Sequence, residues 1–313
     1  MLAFFLKRLA SLVFTMLVVS ALVFAAFEFT PGQVATKILG PFSTQDQRDR
    51  LTEQLGLNRP VYVRFVDELG KIVTGDLGYS TLYKVPVNDF IWGRLGNTLL
   101  LASIAFVVMV PLSILFGISA GMREGSKLDR TISVASMVTT SVPEFASGVF
   151  LASIFVIGLG WLPGTAPLDP GAGWPIALQL VLPVTVIVLY DLGYVVRMVR
   201  ASMVEVMTRP YIRTAILKGL TFRDVIMKHA LRNAMIAPFT VILLQINYMI
   251  AGVVVVEAVF AYPGFGRMLL DSALAQDVAT VEAASLFAVL VTVGTQIAGD
   301  LGYMMLNPRI RFS

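Results

Sequence analysis

The sequence predicts an all-α integral membrane protein with six transmembrane helices and both ends of the chain in the cytoplasm. Three observations carry that reading. First, 57% of the 313 residues are hydrophobic and only 14% are charged, about half the charge of an average soluble domain, and the mean hydropathy is +0.79. Second, six segments approach or exceed the roughly 20 apolar residues that a bilayer-crossing helix needs. Third, the basic residues gather on alternate connections between those segments.

The segments run in order. Leu9 to Phe27 and Thr98 to Met122 carry no charge; Thr131 to Trp161 carries only Glu144, and Ala177 to Val196 only Asp191. Asn233 to Val256 is uncharged, and Ala283 to Leu306 holds only Asp300. Pro111, Pro143, Pro183 and Pro238 are expected to bend or begin some of these spans. The first segment follows Lys7 and Arg8 but is longer than the apolar stretch of a secretory signal and lacks small residues after Ala26, so an uncleaved helix is expected.

With the N-terminus inside, fifteen of the 24 Lys and Arg fall in cytoplasmic segments. The two short outer loops, 162–176 and 261–282, hold only Arg267. The stretch from Thr30 to Leu95 has ordinary soluble composition and forms a small extracytoplasmic segment between helices 1 and 2. Within it, Ser43 or Thr44 begins a short capped helix ending at Gly56, Val61 to Val73 has helical apolar spacing, and Gly75-Asp76-Leu77-Gly78 is a turn. Val87 to Leu95 leads into the second span. Residues 1–95 therefore read as a first helix plus its outer segment, and 96–313 as a five-helix core with a cytoplasmic loop at 200–235.

Composition also excludes. The chain has no Cys and one His, His229, so neither disulfides nor a Cys- or His-rich metal centre is available. A net charge of +4 spread over so many apolar residues is no polyanion-binding surface, so no nucleic acid is expected as partner. No phosphate-binding Gly-x4-Gly-Lys-Ser/Thr loop occurs; Gly121 to Lys127 is the nearest run and has the wrong spacing. No paired catalytic motif is apparent, and there is no internal repeat.

The most informative stretch is Arg197 to Asn233, too polar for lipid and too regular for a slack connector. Pro210 suits the first turn of a helix, Gly219 the left-handed residue past its end, and Thr221 with Asp224 a capping box for a second helix. Tyr211 to Lys218 would be a helix of about two turns, marginal alone in water. An ordinary basic loop obeying the charge rule is the competing reading.

The pattern Tyr-x-Arg-Thr-Ala-x-x-Lys-Gly-Leu at 211–220, followed by His-Ala-Leu-Arg-Asn-Ala and Pro238, resembles the cytoplasmic loop of bacterial ATP-binding-cassette importer permeases. It most resembles the B-type permease subunit of the dipeptide/oligopeptide class. The start FFLKRLASLVF, the stretch LGLNRPVYVRFVDELGKIVTGDLGYS, VVVVEAVFAYPGFGRMLLDSA and the ending DLGYMMLNPRIR are similar too. The resemblance implies that Tyr211, Arg213, Ala215, Lys218, Gly219 and Leu220 form a coupling helix that docks on an ATPase subunit. It implies further partners: a second, non-identical permease, two ATPase subunits holding ATP and Mg, and an extracytoplasmic solute-binding protein. This chain itself would need no cofactor and would sit, multi-pass, in the bacterial cytoplasmic (inner) membrane. The acidic residue that opens the loop motif in other permeases is absent here, a departure the peptide class shares. His229 reads as a loop-packing residue.

Carboxylates inside a membrane are costly and point to function by default. Glu144, Asp191, Glu257 and Asp300 are the candidate pathway residues. Glu144 sits beside Pro143, where the family usually has a small or apolar residue; it would meet a cationic group on the solute, or form an interhelical pair or cap the bend. Glu257 and Asp300 match family positions and would pair with neighbouring helices or touch solute. Tyr262 and Phe265, in the Tyr-Pro-Gly-Phe-Gly segment, are candidates for the outer gate or for contact with the binding protein. Ser113, Gly117 and Gly121 at four-residue spacing would let the second span approach another helix closely. Asp277-x-Ala279-x-x-Glu282 departs from the family's usual Asp-x-Pro-x-x-Gln. The resemblance makes a peptide the expected solute; nickel, glutathione, an opine or a sugar are the alternatives within the same machinery. An ion-coupled secondary transporter is the rival outside it.

Overall fold

The computed structural model describes residues 2–28, 39–40, 42–54 and 59–306. Regular structure among them is helical, apart from one isolated bridge between Tyr79 and Pro86. Among the described residues, four helices are long and apolar enough to cross a membrane, or up to six if each of two bent pairs is one span. The described residues divide into two compact units: those up to Gly96 with Arg267–Gly294 in the first, and Asn97–Gly266 with those from Thr295 onward in the second.

In the first unit, α1 (Leu2–Glu28) carries no charge from Leu9 to Phe27 and packs on α3 (Val61–Val73) through Phe24 and Phe65, whose ring centroids lie 5.4 Å apart. Between them α2 (Gln45–Gln54) opens on a reciprocal capping box. The Gln47 amide N–H donates to Thr44 Oγ1 at 3.4 Å and the Thr44 N–H to Gln47 Oε1 at 2.9 Å. Gly56, the expected end of this helix, lies outside the described residues. Gly78 takes φ +80° in the turn before Tyr79. The loop that follows is closed by Asp277, which is fully buried and accepts from Ser80 Oγ, from Thr280 Oγ1 at 2.7 Å and from the Thr81 N–H at 3.2 Å. Glu282, also buried, accepts from Ser20 Oγ on α1. The departure in sequence at 277–282 is thus a pair of buried acids with hydroxyl donors.

The second unit takes up α4 (Val87–Gly121) from Asn97 onward, α5 (Lys127–Ser141), α6 (Glu144–Ala152) with its π-helical extension Ser153–Gly158, and α7 (Ile176–Met207). Then come α8 (Pro210–Leu217), α9 (Phe222–Ala234), α10 (Ile236–Gly252) and α11 (Val254–Val259). α12 (Phe265–Ala275) and α13 (Val278–Leu306) complete the chain. The core of this unit is one cluster around α7, from Leu101 and Met109 through Val186, Val195, Val199 and Met203 to Phe260 and Tyr262.

Two helix approaches position α7. A Cβ on Gly117 would stand 2.5 Å from the Val199 Cβ, and one on Gly121 2.7 Å from that of Met203, so the small residues at four-residue spacing serve the α4–α7 crossing. On another side of α7, Gly193 lies so close to α5 that a Cβ would come within 2.5 Å of the Ser136 carbonyl.

The third expected span, Thr131 to Trp161, is not one helix. α5 and the α6 segment meet at a bend of 100°. Pro143 is the reason: its ring keeps Val142 out of the helical region, at φ −91° and ψ 124°, and its own nitrogen has no hydrogen to donate. Pro111 and Pro183, in contrast, lie inside unbroken helices. The fifth expected span starts within a second bent pair, where α9 and α10 meet at 55° around Met235.

Candidate functional site

At 32 residues α7 is about 48 Å long, well beyond the roughly 30 Å of a hydrocarbon layer. It ends at Thr208, and Arg209 turns the chain in extended backbone so that Pro210 begins α8. Two turns later Gly219 adopts φ +78°. Its N–H donates to the Ile216 carbonyl at 2.9 Å, and the Leu220 N–H reaches back to the Ala215 carbonyl at 3.4 Å. That crossed pair of bonds is the Schellman ending, which satisfies the last carbonyls of a helix and needs a left-handed residue at the stop. Thr221 then caps α9, its Oγ1 accepting from the Asp224 N–H at 3.2 Å.

The helix is held by one face and free on the other. Ile212, 1% exposed, and Ala215, 6% exposed, join the core cluster. Tyr211 is tied to α9 by the Asn233 amide, which donates to its hydroxyl at 3.1 Å. Arg213, Lys218, Gly219 and Leu220 are exposed. So are three apolar side chains that the sequence pattern did not single out: Ile216, Phe222 and Leu217, the last 79% exposed. Of the six expected coupling residues, Ala215 faces inward and cannot itself form the outer surface. The helix register pairs Ala215 with Ile212, three residues earlier, and sets Arg213 and Leu217 on another face, but it does not separate exposed Ile216, which is four residues from Ile212. His229 is half-buried, and its carbonyl accepts from the Asn233 amide at 3.0 Å.

Behind the loop, Arg200 on α7 makes a two-pronged ion pair with Asp129 in the first turn of α5. The guanidinium donates through Nε and, at 2.7 Å, through Nη2. Asp129 also accepts the Gly125 N–H at 3.0 Å. The sequence reading passed over Asp129, since a charge just outside an apolar segment carries no signal about its partner.

Two carboxylates lie on apolar helices that pack against each other, α6 and α7. Asp191 on α7 is 1% exposed; the Gln245 amide on α10 donates to its Oδ1, while Oδ2 has no hydrogen-bond partner among the described residues. Glu144, the first residue of α6, is half-buried and within electrostatic range of Asp191. The rings of Tyr190 and Tyr248 stack beside them, 5.6 Å apart and 16° from parallel. Asp300 lies on α13, but its side chain is outside the described residues.

Glu257 is elsewhere and differently placed. It is fully buried on α11 and accepts from Thr98 Oγ1, which in turn accepts the Phe265 N–H at 2.7 Å. The Tyr262 hydroxyl donates to the Asn97 carbonyl at 2.6 Å, and the Asn97 amide donates to the Pro263 carbonyl at 2.9 Å. Burial, with the Glu257 charge second, holds the Tyr262 phenol above its usual pKa. A Cβ on Gly264 would run into the Glu257 carboxylate, and one on Gly266 would come within 2.6 Å of Val254. In this conformation Tyr262, Phe265 and Glu257 are therefore packing groups of a tightly folded turn. No group of three or more His, Asp or Glu able to hold a metal occurs among the described residues.

The profile of a family described as "Binding-protein-dependent transport system inner membrane component" matches residues 113–312, and that of its N-terminal region matches residues 1–102. A peptide transport system permease protein of Brucella abortus (strain 2308) is 35% identical over 315 residues, covering 100% of both chains. The oligopeptide transport system permease protein AppB of Bacillus subtilis (strain 168) is 35% identical over 317 residues, again covering 100% of each. The glutathione transport system permease protein GsiC of Shigella flexneri serotype 5b (strain 8401) is 35% identical over 319 residues with the same coverage. The chain belongs to the family of inner-membrane components of binding-protein-dependent transport systems, and is a multi-pass inner-membrane protein.

Proposed function

We propose that this chain is the permease for a peptide, working beside a second, similar permease, and that α8 is the joint through which ATPase subunits move it. Each bent pair counts as one span, giving six, with both ends of the chain and the 200–235 loop in the cytoplasm. ATP and its magnesium bind to the ATPase subunits. Their closure drives the paired permeases from inward- to outward-open by rigid-body motion, and a separate binding protein delivers the solute.

One observation carries the reading. A two-turn helix, anchored by Ile212 and Ala215 and stopped at Gly219, presents Ile216, Leu217, Leu220 and Phe222 outward. Basic Arg213, Lys218 and Arg223 lie among them. An apolar patch rimmed by charge, next to a helix that outruns the bilayer, is a protein-docking surface rather than a lipid contact. The peptide assignment rests on the relatives named for peptides, and glutathione, itself a tripeptide, is the second reading because GsiC is equally similar. The test is to purify the chain with its copurifying subunits, rebuild the complex in vesicles and follow uptake of labelled peptides. Uptake that needs nucleotide and the binding protein is expected. Uptake by this chain alone, driven by an ion gradient, would refute the assignment.

A further inference from the structure

Resting on the importer reading above, we propose that Glu144 and Asp191 form one ammonium-binding site beside the stacked Tyr190–Tyr248 pair, and that it receives the cationic end of the solute.

The argument starts from what the two carboxylates lack. Asp191 is almost wholly buried, takes one amide hydrogen from Gln245 and leaves Oδ2 without a partner. Glu144 makes no hydrogen bond or ion pair among the described residues. Two acids on packed helices, neither ion-paired with a Lys or Arg among the described residues, are unfavourable in a low-dielectric layer unless something positive joins them. The position of Glu144 at the first residue of α6 gives it some support from the helix N-terminus. Asp191 lies in the middle of α7 and has none.

The neighbours fit a particular cation. Three elements converge here, α6, α7 and α10, and both α6 and α10 pack on α7. The stacked phenols offer aromatic faces, which attract organic ammonium ions. Carboxylates and aromatic faces without Cys or His ligands suit an alkylammonium better than a transition metal. A peptide's free α-amino group is the member of that class which the proposed solute carries. Side chains around the cluster are open: Phe145 and Tyr248 are exposed, which gives the site a wall toward whatever occupies the space beside this chain.

The complex, purified with its partner subunits, is treated with a hydrophobic carbodiimide, which modifies carboxyl groups in apolar surroundings. Labelling at Glu144 and Asp191 is read by mass spectrometry of the unaltered protein. Trialanine is expected to protect both residues and N-acetyl-trialanine neither. In vesicles, Glu144→Gln and Asp191→Asn are each expected to raise KM for trialanine roughly 10- to 100-fold, the loss of one charge-assisted hydrogen bond. Uptake of the acetylated peptide should not change. Absence of protection, equal protection by both peptides, or parallel loss of both uptakes would overturn the site and leave the acids as proton-bearing or packing groups. A wild-type complex without nucleotide-dependent uptake would instead overturn the importer reading, and the labelling would still decide the site.

Discussion

Replacing Leu217 by Ala tests the docking surface without touching the fold. Leu217 is 79% exposed at the end of α8 and its neighbours in the core are Ile212 and Ala215, not itself. The substitution removes three carbons, worth about 0.8 kcal/mol each when taken out of water. Scaled by the exposed fraction that docking would bury, the loss is about 1.9 kcal/mol, or roughly a 20-fold weaker Kd for the ATPase. The assay is titration of purified ATPase subunits onto the permease pair in detergent, alongside nucleotide-driven uptake in vesicles. The Tm of the permease should stay within about 1 °C, because an exposed side chain contributes little to folding. Ile212→Ala should reverse the pattern, costing about 2–5 kcal/mol of stability through a cavity. If Leu217→Ala binds the ATPase as tightly as the unaltered chain, α8 does not dock by this face and the reasoning fails.

Three further outcomes follow from the geometry. Gly219→Val forces a β-branched residue to φ +78° and should cost about 1–2 kcal/mol, read as faster proteolysis of the 210–234 loop and slower uptake. Asp129→Ala leaves the largely buried Arg200 guanidinium unpaired and should destabilise by about 3–5 kcal/mol; the double change with Arg200→Met should recover much of the lost Tm. Gly264→Ala drives a methyl group into the Glu257 carboxylate and should lower the Tm clearly, while the milder Thr98→Ser keeps the hydroxyl donor and should leave it nearly unchanged.

Much of the architecture was legible from local pattern. The run of apolar residues gives the spanning helices, since lipid leaves the backbone no other partner. The α8 boundaries followed from Pro210 and Gly219, because both residues act on the chain's own φ angles and need no distant contact. The same holds for the Thr44–Gln47 and Thr221–Asp224 caps. The reading faltered where two distant segments meet. The sequence marks a bend at Pro143 within the Thr131 to Trp161 span but not its 100° size, which depends on what the next helix packs against. The sequence leaves Glu257 either to pair with a neighbouring helix or to touch solute; Thr98 and the glycines of the 262–266 turn enclose it. Within the coupling helix, Ala215 faces inward and Leu217, not among the six expected residues, faces outward.

The sequence by itself determined which segments are apolar enough for the membrane, where the short loop helix starts and stops, and which family the chain resembles. Each of these is encoded in composition or within a few neighbouring residues. Only the tertiary structure decided the fates of four acids: Asp129 is paired with Arg200, Glu257 is walled in, Asp191 takes one amide hydrogen from Gln245, and Glu144 stands at the start of α6 without an ion pair among the described residues. A carboxylate's energy inside a protein is set by the charges and donors within a few ångströms, and those come from helices far away along the chain.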